Sequence, residues 1–248
     1  MKKITLPMLS AIVLLGFIST SSISAFSFTP ISRTFTPSGR GTTQSFRITN
    51  EEGVNIAVQL KMLTREIDEE GKEHNEPADN FFTVYPSQIV LQPDTSQTVK
   101  VHWTGPEDIE TERCFRILAE QLPVDFGEES ADGGNLKILF KYMGSVYITP
   151  PEADPDVRIN SVEIEEEEGE PRAVLLIENR GNRHAILADL ELTLSSSEGS
   201  DIHLSGEKLE GLSGTNILPG GKRRFSVSVP EEFSGGDIDA SLSYDNPQ

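Results

Sequence analysis

The sequence predicts an all-β protein made of two β-sandwich domains in tandem, and three observations carry that reading. After residue 25 no segment keeps a helical apolar period, while short alternating apolar runs recur between turn residues. The run Pro150, Pro151, Glu152, Ala153, Asp154, Pro155 interrupts them, and its prolines withhold ladder donors and stiffen the backbone, which marks a domain boundary. The halves also share a weak repeat. Phe46 to Asn50 leads into a turn as Leu175 to Asn179 does, and Val99, Val101 and Trp103 follow Pro93 at the same offsets at which Phe225, Val227 and Val229 follow Pro219.

In chain order, Lys2 and Lys3, the apolar run Ile4 to Ile18 and small residues ending at Ala25 read as a secretory signal peptide, too short in its apolar part for a membrane span. Residues 26–150 then form the first domain and 151–248 the second. Strands are expected at Phe26–Ser32, Thr42–Thr49, Asn55–Arg65, Phe82–Tyr85, Gln88–Leu91, Gln97–Trp103, Glu112–Pro123 and Leu136–Tyr147. Turn chemistry separates them at Pro37 to Gly39, Asn50 to Gly53, Glu69 to Gly71 and Pro93–Asp94. Further strands are expected at Val157–Glu165, Ala173–Glu178, Ala185–Leu194, Ile202–Leu204, Arg224–Val229 and Asp237–Tyr244.

The strand expected at Leu136–Tyr147 is unlike the others. Leu136, Ile138, Phe140 and Tyr142 share one face, while Leu139 and Met143 alternate with Lys137 and Lys141 on the other. Apolar side chains on both faces suit either a strand buried on both sides within its own domain or one that offers a face to a partner.

Composition narrows the function. Removing residues 1–25 takes away two lysines and no acid, leaving 19 basic against 40 acidic residues, a net of −21. Nucleic acid and anionic membrane surfaces are poor partners for such a chain. The single cysteine, Cys114, excludes an intramolecular disulfide framework and lies in an apolar strand, as a buried inert thiol does. The four histidines lack ligand spacing, no hydrolase, zinc or phosphate-loop motif occurs, and Glu165 to Glu168 reads as a solvated hairpin tip. No catalytic residue, metal or cofactor is expected.

Several stretches resemble the periplasmic pilus-assembly chaperones of the PapD-like family. They are Arg33 to Asn50, the run Val84-Tyr85-Pro86 through Gln92-Pro93 with the following Thr98-Val99-Lys100-Val101, and Glu112 to Pro123. In the second half, Ile177 to Ala185 and Ile217 to Arg224 resemble the branch often termed archaic. The resemblance implies two Ig-like β-sandwich domains and a non-enzymatic chaperone that binds pilin subunits by lending them a strand, then delivers them to an outer-membrane usher. Leu136, Ile138, Phe140 and Tyr142 become the donor-strand residues. Membrane insertion is not expected, and self-association through the donor strand is open to the empty protein. Family members hold the subunit's terminal carboxylate with a first-strand arginine and a donor-strand lysine. Arg33 matches the arginine, but Ser145 or Gly144 stands at the lysine's place, so Arg116 and Arg113 are the expected replacements, with Lys141 next. The rival reading is a secreted structural or adhesive protein of two Ig-like domains.

Overall fold

The computed structural model describes residues 26–126, 138–197, 201–231, 233 and 237–247. The expected signal peptide and Leu136 lie outside the described residues. The strands of the first half are β1 Ser27–Thr29, β2 Ser32–Phe35, β3 Thr43–Thr49, β4 Ile56–Thr64, β5 Glu66–Ile67, β6 Glu73–His74, β7 Phe82–Tyr85, β8 Gln88–Leu91, β9 Ser96–Trp103, β10 Arg113–Leu122 and β11 Lys141–Ile148. Those of the second are β12 Val157–Glu167, β13 Glu170–Asn179, β14 Ala185–Ile186, β15 Ala188–Ser196, β16 Asp201–Ser205, β17 Asn216–Ile217, β18 Lys222–Ser228 and β19 Ile238–Asp245. Short 3-10 turns are the only helical pieces among the described residues, and no helix there is long and apolar enough to cross a membrane.

Both halves are Ig-like sandwiches. In the first, a sheet ordered β1-β3-β9-β7 faces one ordered β2-β11-β10-β4-β8. Alternation drives the packing: Phe46 and Ile48 of β3, Val99, Val101 and Trp103 of β9, and Phe115, Ile117 and Ala119 of β10 are buried, while their neighbours along each strand face outward. Phe82, Trp103 and Phe115 meet edge-on or tilted at 5.0 to 5.7 Å. The second half packs β12-β13-β18 against β16-β15-β19 around Leu175, Ile177, Leu192, Leu194, Ile217 and Val227.

The repeat seen in the sequence is a repeated polar device. Asn50 and Asn179 are each 0 % exposed at the end of matching strands. Asn50 donates through Nδ2 to the carbonyls of Val54 (2.8 Å) and Leu91 (3.2 Å). Asn179 donates to those of Arg183 (2.7 Å) and Ile217 (3.0 Å). In each half the second carbonyl belongs to the residue two before the turn proline, so one buried amide ties one turn to the other.

The proline-rich link is not a bare hinge. Ala153 is buried, Asp154 exchanges main-chain and side-chain hydrogen bonds with Asn182 at 2.9 and 3.1 Å, and Gly181 packs so closely on Asp154 to Asp156 that a Cβ there would collide with their backbone. A sequence can show where prolines stiffen a link, but not what the link docks against.

Candidate functional site

β11 is the strand that the sequence singled out, and its regular part begins at Lys141 rather than Leu136. It pairs antiparallel with β10 along its length, with Phe115 opposite Val146, Arg116 opposite Ser145, Ile117 opposite Gly144 and Ala119 opposite Tyr142. On its other side β2 runs parallel only from Ser32–Ser145 to Phe35–Ile148. Among the described residues, the stretch Lys141–Gly144 therefore has no strand partner on that edge. Gly144 is needed where the two arrangements meet, because a Cβ there would lie 3.0 Å from Ile117, Phe28 and the Ile31 carbonyl.

One face of this segment passes gradually from core to solvent. Ile148 and Val146 are 0 % exposed; Tyr142 and Phe140 are half-buried against the same core; Ile138 is 49 % exposed. Tyr142 meets Phe26 edge-on at 4.8 Å. Phe140 lies before the regular strand but still accepts a hydrogen bond at its carbonyl from the Gln121 amide, 3.0 Å away. Of the four expected donor side chains, then, Tyr142 and Phe140 rest partly on the protein's own core, Ile138 stands free of it, and Leu136 is outside the described residues. Val124 and Phe126, after β10, and Leu139, before β11, are also exposed, as is Met143 on the opposite face of β11.

The three expected anchor arginines do not converge. Arg33 sits opposite Val146, and Phe115 is opposite Val146 on the other side, so Arg33 belongs to the core-directed face. Arg116 is opposite Ser145 on the outer face, which corrects its expected partnership with Arg33: a sheet lies between them. Arg113 lies over the Phe81 ring at 4.5 Å. Lys141 is paired to Glu120 at 2.5 Å. Arg33 is exposed on edge strand β2 and has no hydrogen-bonding or ion-pair partner among the described residues.

Arg116 instead holds an acid that the sequence reading missed. Its Nε and Nη2 donate to Glu73 Oε1 and Oε2 at 2.7 and 2.6 Å, and its Nη1 donates to Ser145 Oγ at 2.6 Å. Arg65 Nε reaches the same carboxylate at 3.2 Å, and Asn75 Nδ2 donates to it at 3.0 Å. Partial burial pushes the Glu73 carboxyl up, but the hydrogen bonds from Arg116 and Asn75 and the charges of Arg116 and Arg65 outweigh it and hold the group at about 2. Glu73 rides on β6, half of a hairpin whose strands are two residues each, too short to show a period in the sequence.

A second polar group joins the two halves. Glu112, its side chain fully buried, accepts from His184 through both the ring Nδ1 (2.6 Å) and the backbone N–H (3.0 Å), and from Thr149 Oγ1 at 2.7 Å. Burial raises its carboxyl, yet the His184 contacts and the Thr149 hydroxyl hold it below the usual carboxylate range. His184 stacks on Tyr147 at 3.8 Å, and the Tyr147 hydroxyl accepts from Arg65 and Asn216, both at 2.8 Å. Tyr147 is thus buried on an outward-directed strand position because the second half covers it. Burial, aided by the Glu112 charge, pushes the Cys114 thiol well up, as expected of an inert cysteine.

Residues 33–153 match the model of the pili and flagellar-assembly chaperones, PapD N-terminal domain. No curated protein matches the chain significantly. Among solved structures, a chain of the CsuC–CsuE chaperone–tip adhesion subunit pre-assembly complex, from the archaic chaperone-usher Csu pili of Acinetobacter baumannii, is 11% identical with a TM-score of 0.58, over 88% of this chain and 98% of that one. The class 5 fimbriae chaperone CfaA is 15% identical with a TM-score of 0.54, over 89% of this chain and 100% of that one. At such identities the likeness is one of fold across nearly the whole chain.

Proposed function

We propose that the protein is a periplasmic chaperone of pilus assembly that captures pilin subunits by donor-strand complementation and passes them to an outer-membrane usher. One observation carries the reading: the core-directed face of β11 runs on past the sandwich through Tyr142 and Phe140 to Ile138, while the edge of Lys141–Gly144 is unpaired among the described residues. An incomplete Ig-like subunit supplies what this segment needs, namely main-chain hydrogen bonds for the edge and an apolar groove for the face. Burying a large exposed side chain is worth about 1.5 to 3 kcal/mol, so Leu136, Ile138 and the exposed part of Phe140 would add an apolar share of the affinity to that of the main-chain hydrogen bonds. The match of residues 33–153 to the pilus chaperone model and the fold shared with fimbrial chaperones support this assignment. Second-half residues Ile177 to Ala185 support placement in the archaic branch. The first domain comprises residues 26–150 and the second 151–248.

For the subunit's terminal carboxylate, Arg33 is the best placed of the three arginines, since Arg116 and Arg113 already have partners. The test of the whole reading is to isolate the mature protein from its native periplasm and identify the chains that accompany it. A subunit-like chain in near-equal amount is expected. A pure, self-contained protein would instead favour the structural or adhesive alternative.

A further inference from the structure

We propose that Gln121, backed by Glu52, is a positioning residue for the donor segment: it holds Phe140 at the entry to β11 and so sets the register in which Phe140 and Ile138 meet a subunit, an inference that rests on the chaperone reading above. Its place in β10 is the first observation. Phe115, Ile117 and Ala119 form an apolar row on the core-directed face, and Gln121 ends that row, 6% exposed and opposite Val58 of β4. Alternation calls for an apolar side chain there, and a buried amide costs stability unless its hydrogen bonds are met. Both ends of this amide are answered. Gln121 Oε1 accepts the Phe140 N–H at 3.3 Å, and Gln121 Nε2 donates to Glu52 Oε1 at 3.3 Å.

These hydrogen bonds fall where the two strands part. The Gln121 N–H donates to the Phe140 carbonyl at 3.0 Å, one half of the next antiparallel pair after Ala119 and Tyr142. In the other half the Gln121 side chain, not its carbonyl, takes the Phe140 N–H. β10 then turns off, with the Val124 N–H donating to the Leu122 carbonyl at 2.8 Å. The glutamine side chain thus carries the ladder past the regular start of β11. Glu52 braces it from the turn after β3, where its own N–H donates to the buried Asn50 Oδ1 at 2.9 Å. Beyond Phe140, Ile138 is 49% exposed and, like Leu139, makes no hydrogen bond among the described residues. The hold on Phe140 therefore sets which face Ile138 takes, since a slip of one residue would turn it to the opposite side. A segment kept in register binds more tightly than one that must first find it.

The test reads the segment and the capture separately. Gln121→Leu keeps the bulk of the side chain and suits the apolar row, so its Tm should stay within about 3 °C of the parent. The Phe140 amide, followed by NMR in the empty protein, should nonetheless exchange about tenfold faster, and the co-purified subunit should bind about tenfold more weakly. Exchanging the two groups, Gln121→Glu with Glu52→Gln, retains an acceptor for the Phe140 N–H and a donor between the side chains, and should return both readings to within about threefold of the parent. Gln121→Glu alone sets two carboxylates together and should not. Should Gln121→Leu fail to fold, Gln121→Asn keeps the amide but withdraws it by a methylene, and the same readings apply. Parent-like Phe140 exchange or parent-like capture in the folded single variant would overturn the proposal, as would failure of the exchanged pair to recover them. A parent that captures no subunit would instead sink the chaperone reading, and this inference with it.

Discussion

Arg116 and Glu73 are joined by two hydrogen bonds of 2.7 and 2.6 Å, between β10 and a hairpin with no buried residue. The pair ties the outer face of the five-stranded sheet to the hairpin, whose Glu69 carbonyl accepts the Arg224 N–H of the second half at 2.7 Å.

This pair sets a pH dependence. Glu73 titrates near 4.5 when unfolded and at about 2 when folded. Its folded-state value is depressed, so the stability it contributes is fully present above 4.5 and is lost as pH falls from there towards 2. Urea denaturation of the parent should show a decline across that window. In Glu73→Gln the decline should be smaller by roughly 1–3 kcal/mol, after discounting for partial solvent exposure. Parallel curves for the two proteins would mean that the pair contributes nothing.

Glu112 should be the joint between the halves. Glu112→Ala leaves the His184 ring and backbone N–H and the Thr149 hydroxyl without their buried acceptor, at a cost of about 2–4 kcal/mol. Limited proteolysis within residues 150–156 should be slow in the parent, where Asp154 and Asn182 bracket the link, and faster in the variant. Equal rates would place the joint elsewhere.

The arginines should separate by readout. Arg33 is exposed and without a partner among the described residues, so Arg33→Ala should change stability by less than about 0.5 kcal/mol. If it anchors the subunit, capture should nonetheless weaken by about tenfold or more. Arg116→Ala should do the reverse, costing about 1–3 kcal/mol of stability because Glu73 loses its two shortest hydrogen bonds and keeps only Arg65 and Asn75. A large stability loss for Arg33→Ala would show that it has a structural role.

Much of the fold was legible because period-two alternation survives in each strand. Gln88–Leu91 and Phe82–Tyr85 occur with the bounds expected, and the two segments matched in the sequence both end on a buried asparagine, Asn50 and Asn179, although the hydrogen bonds those amides make were not legible there. The site was less so. Glu66–Ile67 and Glu73–His74 are charged two-residue strands that no periodicity marks, so Glu73 stayed hidden and Arg116 seemed available. Only the register of β11 with β2 and β10 shows that Arg33 and Arg116 are divided by the sheet. Tyr147, a solvent-facing position by alternation, is buried at 4% because His184 from the other half covers it, a long-range contact that local pattern cannot encode.

The most direct measurement is subunit capture by Ile138→Asp. Ile138 is 49 % exposed in the free protein, so the change should leave its fold and Tm nearly intact, unlike Phe140→Asp, which disturbs a side chain packed on the core. In the complex the new carboxylate has to enter an apolar groove and the isoleucine burial is lost. That combined cost of about 3 kcal/mol or more predicts affinity at least a hundredfold lower by titration with the co-purified subunit. Parent-like affinity in a folded Ile138→Asp protein would contradict donation by this strand.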